Sequence, residues 1–319
     1  MLTYFIRRFL EMLLTLFIIA TATFFLLSAI PGDALTEKVE KLPPNIKAEI
    51  YRKYGYDKPV YQRYIKTMAG IILRGDFGES IVYPGQTMQS IIKQKMPISA
   101  RLGIQQVLVG VTLGLFLGMI AAMKRGTWVD YTIVTVAMIF VSTPTLVCAL
   151  LLQKYFAGTL AWFPVIGWPK GEDIWFGGWK YTVLPTLSGC LGYVASYSRL
   201  MKTSMVDVIN QDYVLTARSK GLSNRKVIVR HVLRNSCIPI VTVLPMTVAF
   251  VITGSFFIER VYSIPGIGLY FIGAVSGRDV PIIMGQTIIL TAIYLIVIFM
   301  TDILYTIVDP RIRIFGNKR

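Results

Sequence analysis

Six stretches of the chain are almost wholly apolar, and polar segments separate them: Phe9–Ile30, Ser99–Met123, Thr132–Gln153, Val183–Ser198, Cys237–Ile258 and Ile282–Val308. A helix needs about 20 mainly apolar residues to cross the hydrocarbon layer. Five stretches reach that length, and the fourth is expected to continue past Arg199. The pattern therefore predicts an all-α membrane protein with six transmembrane helices. The first stretch follows Arg7 and Arg8, but its apolar core outruns the ~7–15 residues of a signal-peptide core. Pro31-Gly32 follows it rather than a small-residue cleavage site, so it reads as a retained anchor. Segment 31–98 is too polar to span. Within it, Ile46–Ile50 with Tyr54, and Val60, Tyr64, Met68 and Ile72, have helical spacing. Pro43-Pro44, Gly55 and Pro59 punctuate those runs. A small helical extracytoplasmic segment is expected there, packed over the spans or facing a soluble external partner. The organisation is thus 1–98 (first span plus outer segment), 99–308 (five further spans) and a tail at 309–319.

Composition agrees with this pattern. Hydrophobic residues make up 54% and charged residues 16% of the 319 positions, against about a quarter charged in soluble domains. A net charge of +16 is compatible with nucleic-acid binding, but the cations sit between and at the ends of apolar runs, and no basic-aromatic platform is present. Charge also orients the chain. With the N-terminus inside, the inner and outer segments each hold 16 Lys and Arg. Long segments cross largely regardless of charge. Without 31–98 the comparison is 16 against 5, which puts both termini in the cytosol.

Within the spans, ionisable residues are functional candidates by default. Glu11, Arg101 and Asp302 are the ones present, and all three fall near span ends, where snorkelling or a helix-end ion pair accounts for them. Pro144, after Ser142-Thr143, is expected to kink the third span. Gly110, Gly114 and Gly118 repeat every fourth residue, the spacing of a close helix-packing face. Trp168, Trp175 and Trp179, beside Phe163–Gly167, fit an interfacial aromatic belt. Cys148, Cys190 and Cys237 lie in or beside apolar runs without metal-ligand spacing. His231 is the single histidine and lacks catalytic partners. No nucleophile, metalloprotease or phosphate-loop motif occurs.

The loop at 199–236 carries eight basic residues against Asp207 and Asp212. Asp212 can cap a short helix over Tyr213–Lys220, and Gly221 suits the left-handed position that ends one. Ser223 then opens a second helix. In it Lys226, Arg230 and Arg234 form one stripe, with Ile228 and Val232 roughly opposite. Such a helix would lie on the membrane surface. From periodicity alone, the short first helix is either part of that lipid anchor or a projection that docks into another protein.

The run Asp212-Tyr213-Val214-Leu215-Thr216-Ala217-Arg218-Ser219-Lys220-Gly221-Leu222 resembles the cytosolic-loop signature of ABC importer membrane subunits. More narrowly, it is similar to the B-type permeases of oligopeptide and dipeptide importers. The general importer motif has Glu-Ala-Ala before its Gly; here Leu215 and Thr216 replace the first two, while Ala217 and Gly221 remain. Other local matches lie along nearly the whole chain: Arg7-Arg8, Tyr54–Pro59, Gly75–Ser80, Ile264–Gly268, Arg278-Asp279 with Gly285, and Asp309-Pro310-Arg311.

The resemblance implies a type I ABC importer permease fold in a bacterial or archaeal cytoplasmic membrane, and no catalysis in the chain itself. It implies pairing with a homologous second permease, two ATP-binding subunits that carry ATP and Mg, and an external peptide-binding protein. It also implies that Asp212, Leu215, Thr216, Ala217, Arg218, Lys220 and Gly221 form the ATPase-coupling element. Asp212 would be its cap, Ala217 a small contact residue, Arg218 and Lys220 polar contacts, and Gly221 the turn. Related permeases also serve nickel chelates or glutathione. A self-sufficient secondary carrier is the remaining alternative, for which mid-membrane charges or inverted repeats would be needed.

Overall fold

The computed structural model describes residues 2–30, 35, 39–40, 42–169, 175–252 and 255–308. The expected tail at 309–319, with Asp309-Pro310-Arg311, lies outside them, as do Pro31-Gly32 and the Asp302 side chain. Among the described residues the structure is helical, and the one extended pairing is an isolated bridge between Glu79 and Thr87. The chain divides into two units, residues 1–97 with 269–319, and residues 98–268.

The first unit contains α1 (Leu2–Ala29), α2 (Pro44–Tyr54), α3 (Val60–Arg74), the beginning of α4 (Met88–Met123), the end of α12 (Ile267–Ser276) and α13 (Val280–Val308). Phe5 of α1 meets Phe299 of α13 edge-on at 6.2 Å. The punctuation read from sequence falls where it is needed: Gly55 (φ 74°) ends α2 and Pro59 precedes α3, while Gly75 (φ 62°), which that punctuation does not include, ends α3. Two of the distant sequence motifs meet here. Asp279, fully buried, accepts hydrogen bonds from the Ser80 hydroxyl and the Val82 amide (2.9 Å). Its other carboxyl oxygen faces the Ile282 amide at 3.4 Å, so it also caps α13. Nearby, Glu79 pairs with Lys53 at 2.7 Å and accepts from the Gly85 amide. Lys53, with Gly85 second, holds the Glu79 carboxyl below its ordinary value.

The second unit holds the rest of α4, then α5 (Trp128–Ser142), α6 (Thr145–Leu152, continued by a π-helical stretch Gln153–Thr159) and α7 (Trp179–Ile209). After them come α8 (Asp212–Ser219), α9 (Asn224–Val227, with a π-helical continuation Ile228–Leu233), α10 (Ile238–Ile252) and α11 (Phe256–Val261). The glycine stripe of α4 packs as expected. A Cβ on Gly110 would lie 2.6 Å from the Tyr193 Cβ, one on Gly114 2.9 Å from the Val194 carbonyl, and one on Gly118 2.3 Å from the Ser198 carbonyl. Only glycine lets α4 and α7 approach so closely. Tyr197 of α7 then bonds Thr247 of α10 at 2.7 Å.

Among the described residues, three helices are long and apolar enough to cross a membrane, or up to five if each bent pair is one span. The expected kink at Pro144 is instead a break: α5 and α6 meet at 101°. Proline removes a donor and drives the preceding residue out of the helical region, and Thr143 sits at φ −88°, ψ 124°. The fourth stretch does run on past Arg199, since α7 has 31 residues; it is more polar than the others.

Candidate functional site

An isolated eight-residue helix is marginal in water, so α8 must be held by packing. Val214 (0% exposed) and Ala217 (5%) are its inner face. They join Tyr197, Met201 and Met205 of α7, Val227 and Val232 of the α9 segment, and Ile240 of α10 in one apolar cluster. Burying a side chain of valine size contributes roughly 1.5–3 kcal/mol, enough to fix so short an element. On its outer side the Tyr213 hydroxyl accepts a 2.9 Å bond from Asn235, which ties α8 to the segment after α9.

The turn that follows is a Schellman motif. The Gly221 amide donates to the Arg218 carbonyl (2.9 Å) and Leu222 to the Ala217 carbonyl (3.4 Å), with Gly221 at φ 77°. Nothing lies within 4 Å of a Cβ built on Gly221. The glycine is therefore required by backbone conformation and not by crowding.

Two expectations need correction here. Asp212 is not the cap: Gln211 occupies that position, without a side-chain cap bond, and Asp212 is the first helical residue. There it still opposes the positive helix end. The second correction concerns periodicity after Ser223. Ser223 does hold the cap position, again without a side-chain bond. The π-helical stretch Ile228–Leu233 then places Val227 and Val232, five apart, on the buried face, while Ile228 is half-buried. An i→i+5 ladder shifts the face by about one residue per turn, which a straight 100° reading misses. Lys226, Arg230 and Arg234 are all exposed.

The structure thus sorts the sequence-selected residues. Asp212, Leu215, Thr216, Arg218 and Lys220 are exposed, Gly221 makes the turn, and Ala217 faces inward against the chain's own core. The Thr216 hydroxyl bonds the Asp212 carbonyl (2.9 Å) within the helix. Lys202, one of the eight basic residues of the loop, is engaged elsewhere: it pairs at 2.6 Å with buried Asp130, which also accepts from the Gly126 amide. Glu11 makes the expected helix-end ion pairs with Arg7 (2.9 Å) and Arg8 (3.5 Å).

Sequence reasoning missed several buried charges. Arg101, read as snorkelling or as part of a helix-end ion pair, is 3% exposed; it donates to the Gly177 carbonyl (2.7 Å) and lies over the Trp168 ring at 5.2 Å. Trp168 is therefore a packed partner of a cation as well as an aromatic near a span end. Glu259 is fully buried. The Ser99 hydroxyl donates to it at 2.7 Å and in turn accepts from the Ile267 amide at 2.8 Å. A Cβ on Gly266 would fall 2.4 Å from the Ser99 oxygen, and one on Gly268 2.9 Å from the Glu259 carboxylate. The Ile264–Gly268 motif is a backbone wrapped around a carboxylate. Glu259 lies one residue beyond an apolar run, so nothing in its spacing marked it as buried. No cluster of potential metal ligands occurs among the described residues.

The family profile described as "Binding-protein-dependent transport system inner membrane component" matches residues 114–314. Its companion, described as "Binding-prot-dependent transport system membrane comp, N-term", matches residues 1–103. The chain is 38% identical over 314 residues to the dipeptide transport system permease protein DppB of Bacillus subtilis, covering 98% of both chains. It is 37% identical over 316 residues to the oligopeptide transport system permease protein OppB of Salmonella typhimurium, covering 98% of this chain and 100% of that one. A crystal structure described as an amino acid ABC transporter with histidines shares the fold, with a TM-score of 0.51 at 15% identity over 70% of this chain and 95% of that one. The chain belongs to the family of inner-membrane components of binding-protein-dependent transport systems.

Proposed function

We propose that this chain is the permease subunit of an ATP-driven peptide importer, forming half of the path for oligopeptides or dipeptides and coupled to ATPase subunits through α8. The observation that carries the reading is the two-sided build of α8. Its inner face is locked onto α7, α9 and α10, while Leu215, Thr216, Arg218 and Lys220 remain exposed. A displacement applied to that outer face would pass to α7 and α10 without a hinge, as a rigid-body switch requires. Ala217 supports the element from inside, and the docking contacts pass to its exposed neighbours. The exposed cations Lys226, Arg230 and Arg234 suit anionic headgroups beside the docking face.

ATP and Mg would reside on partner subunits, because this sequence has no phosphate loop. The peptide substrate is supported by the names of the dipeptide and oligopeptide relatives. The assembly proposed comprises this chain, a homologous permease, two ATPases and an external binding protein, in a bacterial or archaeal cytoplasmic membrane, with six crossings and both termini cytosolic.

The test is purification in mild detergent followed by reconstitution. Co-elution with two ATPases and a second permease, and ATP-dependent uptake of di- or oligopeptides, are expected. A lone oligomer that transports without ATP would overturn the reading. Uptake of nickel chelates or glutathione but not peptides would overturn the substrate alone.

A further inference from the structure

The polar segment after the first span contains one helix whose surface does not suit water. Along α3, Tyr61, Ile65 and Ile72 fall within about 40° of one another at 100° per residue, and they are 60%, 62% and 65% exposed. Arg63, Lys66 and Arg74 lie on the opposite side, where they line a cavity of about 440 Å³ together with Lys53 and Lys58. The third face packs on α1. The Tyr64 hydroxyl bonds Thr21 at 2.9 Å, and the Tyr64 ring touches Phe24 and Phe25 at 5.4 and 5.1 Å.

That contact sets the level of α3 along α1. Phe24 lies five residues before the end of α1 at Ala29, or about 7 Å along the axis at 1.5 Å per residue. Residues Phe5–Ala29 are a membrane-span candidate, so Tyr64 sits at a level where α1 is still apolar. Phe25 and Leu26 of α1 are 46% and 69% exposed, and Phe25 touches Tyr64. Tyr64 thus joins α3 to the exposed apolar surface of α1. Amphipathic helices that lie in a membrane interface bury their apolar face by about 5–10 Å, and a contact this close to the end of α1 is compatible with burial on that scale.

We infer that α3 is embedded in the membrane interface at the far end of α1, with Tyr61, Ile65 and Ile72 among the acyl chains and the basic cavity side turned to the headgroup layer. It would then act as a lipid-anchored strut and not as part of a water-exposed cap.

The full-length protein in bilayer nanodiscs tests this by spin labels placed singly at Ile65, Ile72 and, as an aqueous reference, Lys66, with the three native cysteines replaced. The oxygen-to-nickel-chelate accessibility ratio at 65 and 72 should exceed that at 66 by about threefold or more, as burial below the headgroups requires. Equal ratios at all three positions would overturn the inference. So would protection of 65 and 72 that develops only when an external binding protein is added, which would make the stripe a protein-docking face. A variant that keeps the cysteines, Ile72→Trp, gives an independent reading. Its added fluorescence should be quenched by lipids brominated on the acyl chain and spared by acrylamide; the reverse pattern refutes the embedding.

Discussion

Gly118 and Gly221 are each required as glycine by different physics, and substitution separates them. At Gly118 a Cβ would stand 2.3 Å from the Ser198 carbonyl. Gly118→Val should therefore force α4 from α7 and destabilise the fold by about 1–3 kcal/mol or more, read as a lower midpoint of thermal unfolding in detergent. At Gly221 there is room but φ is 77°. Gly221→Ala should cost about 1–2 kcal/mol of local strain, lower the midpoint by less than Gly118→Val does, and lower coupled uptake. Gly221→Pro also removes the amide bonded to Arg218, so at normal expression it should uncouple ATP hydrolysis from uptake. Unchanged uptake would remove α8 from the docking role. Both glycines were legible in the sequence, one from a repeat and one from a helix-stop pattern. Glu259 was not, because burial of a carboxylate depends on Ser99, 160 positions away. Glu259→Ala would leave the Ser99 hydroxyl without its acceptor and should cost about 1–3 kcal/mol; Glu259→Gln, which keeps an acceptor oxygen, should cost less in the same melt.

Among the elements, α8 depends most on its neighbours. Met205 of α7 is fully buried in the cluster that receives Val214 and Ala217. Met205→Ala should loosen that seat by roughly 2–5 kcal/mol and raise amide hydrogen exchange in α8 before it does so in α4. Leu215→Ala, on the exposed side, should leave exchange unchanged but weaken ATPase retention during purification. If both variants behaved alike, the distinction between seat and docking face would fail. The sequence announced α8 through Gly221 and the short polar run before it. It gave the wrong cap because Asp is a favoured capping type and Gln is not, yet Gln211 takes that position and Asp212 becomes the first helical residue. It also misplaced Ile228, because a π-helical stretch leaves no compositional mark. The break at Pro144 was visible as a proline, but its 101° angle depends on how the restarted helix packs.

For the whole molecule, apolar length alone gives three spans among the described residues, or up to five if each bent helix pair crosses; with both pairs crossing, α7 decides whether there is a sixth. Its 31 residues correspond to about 46 Å at 1.5 Å per residue, more than the ~30 Å hydrocarbon layer. A crossing by α7 would leave one turn or more projecting at the end that carries exposed Arg199 and the Lys202–Asp130 pair. Its polar positions Thr182, Ser188, Ser198 and Ser204 are buried inside the second unit, so they would not meet lipid. That is how a span can be less apolar than its neighbours and still cross. An even number of crossings returns the C-terminus to the side of the N-terminus. Fusions of a folding-reporter fluorescent protein at residue 319 and of alkaline phosphatase within segment 154–182 test this together. Fluorescence at the first site and phosphatase activity at the second are expected. Phosphatase activity from a fusion at residue 319 would mean an odd number of crossings, and α7 would then have to lie along the membrane instead of through it.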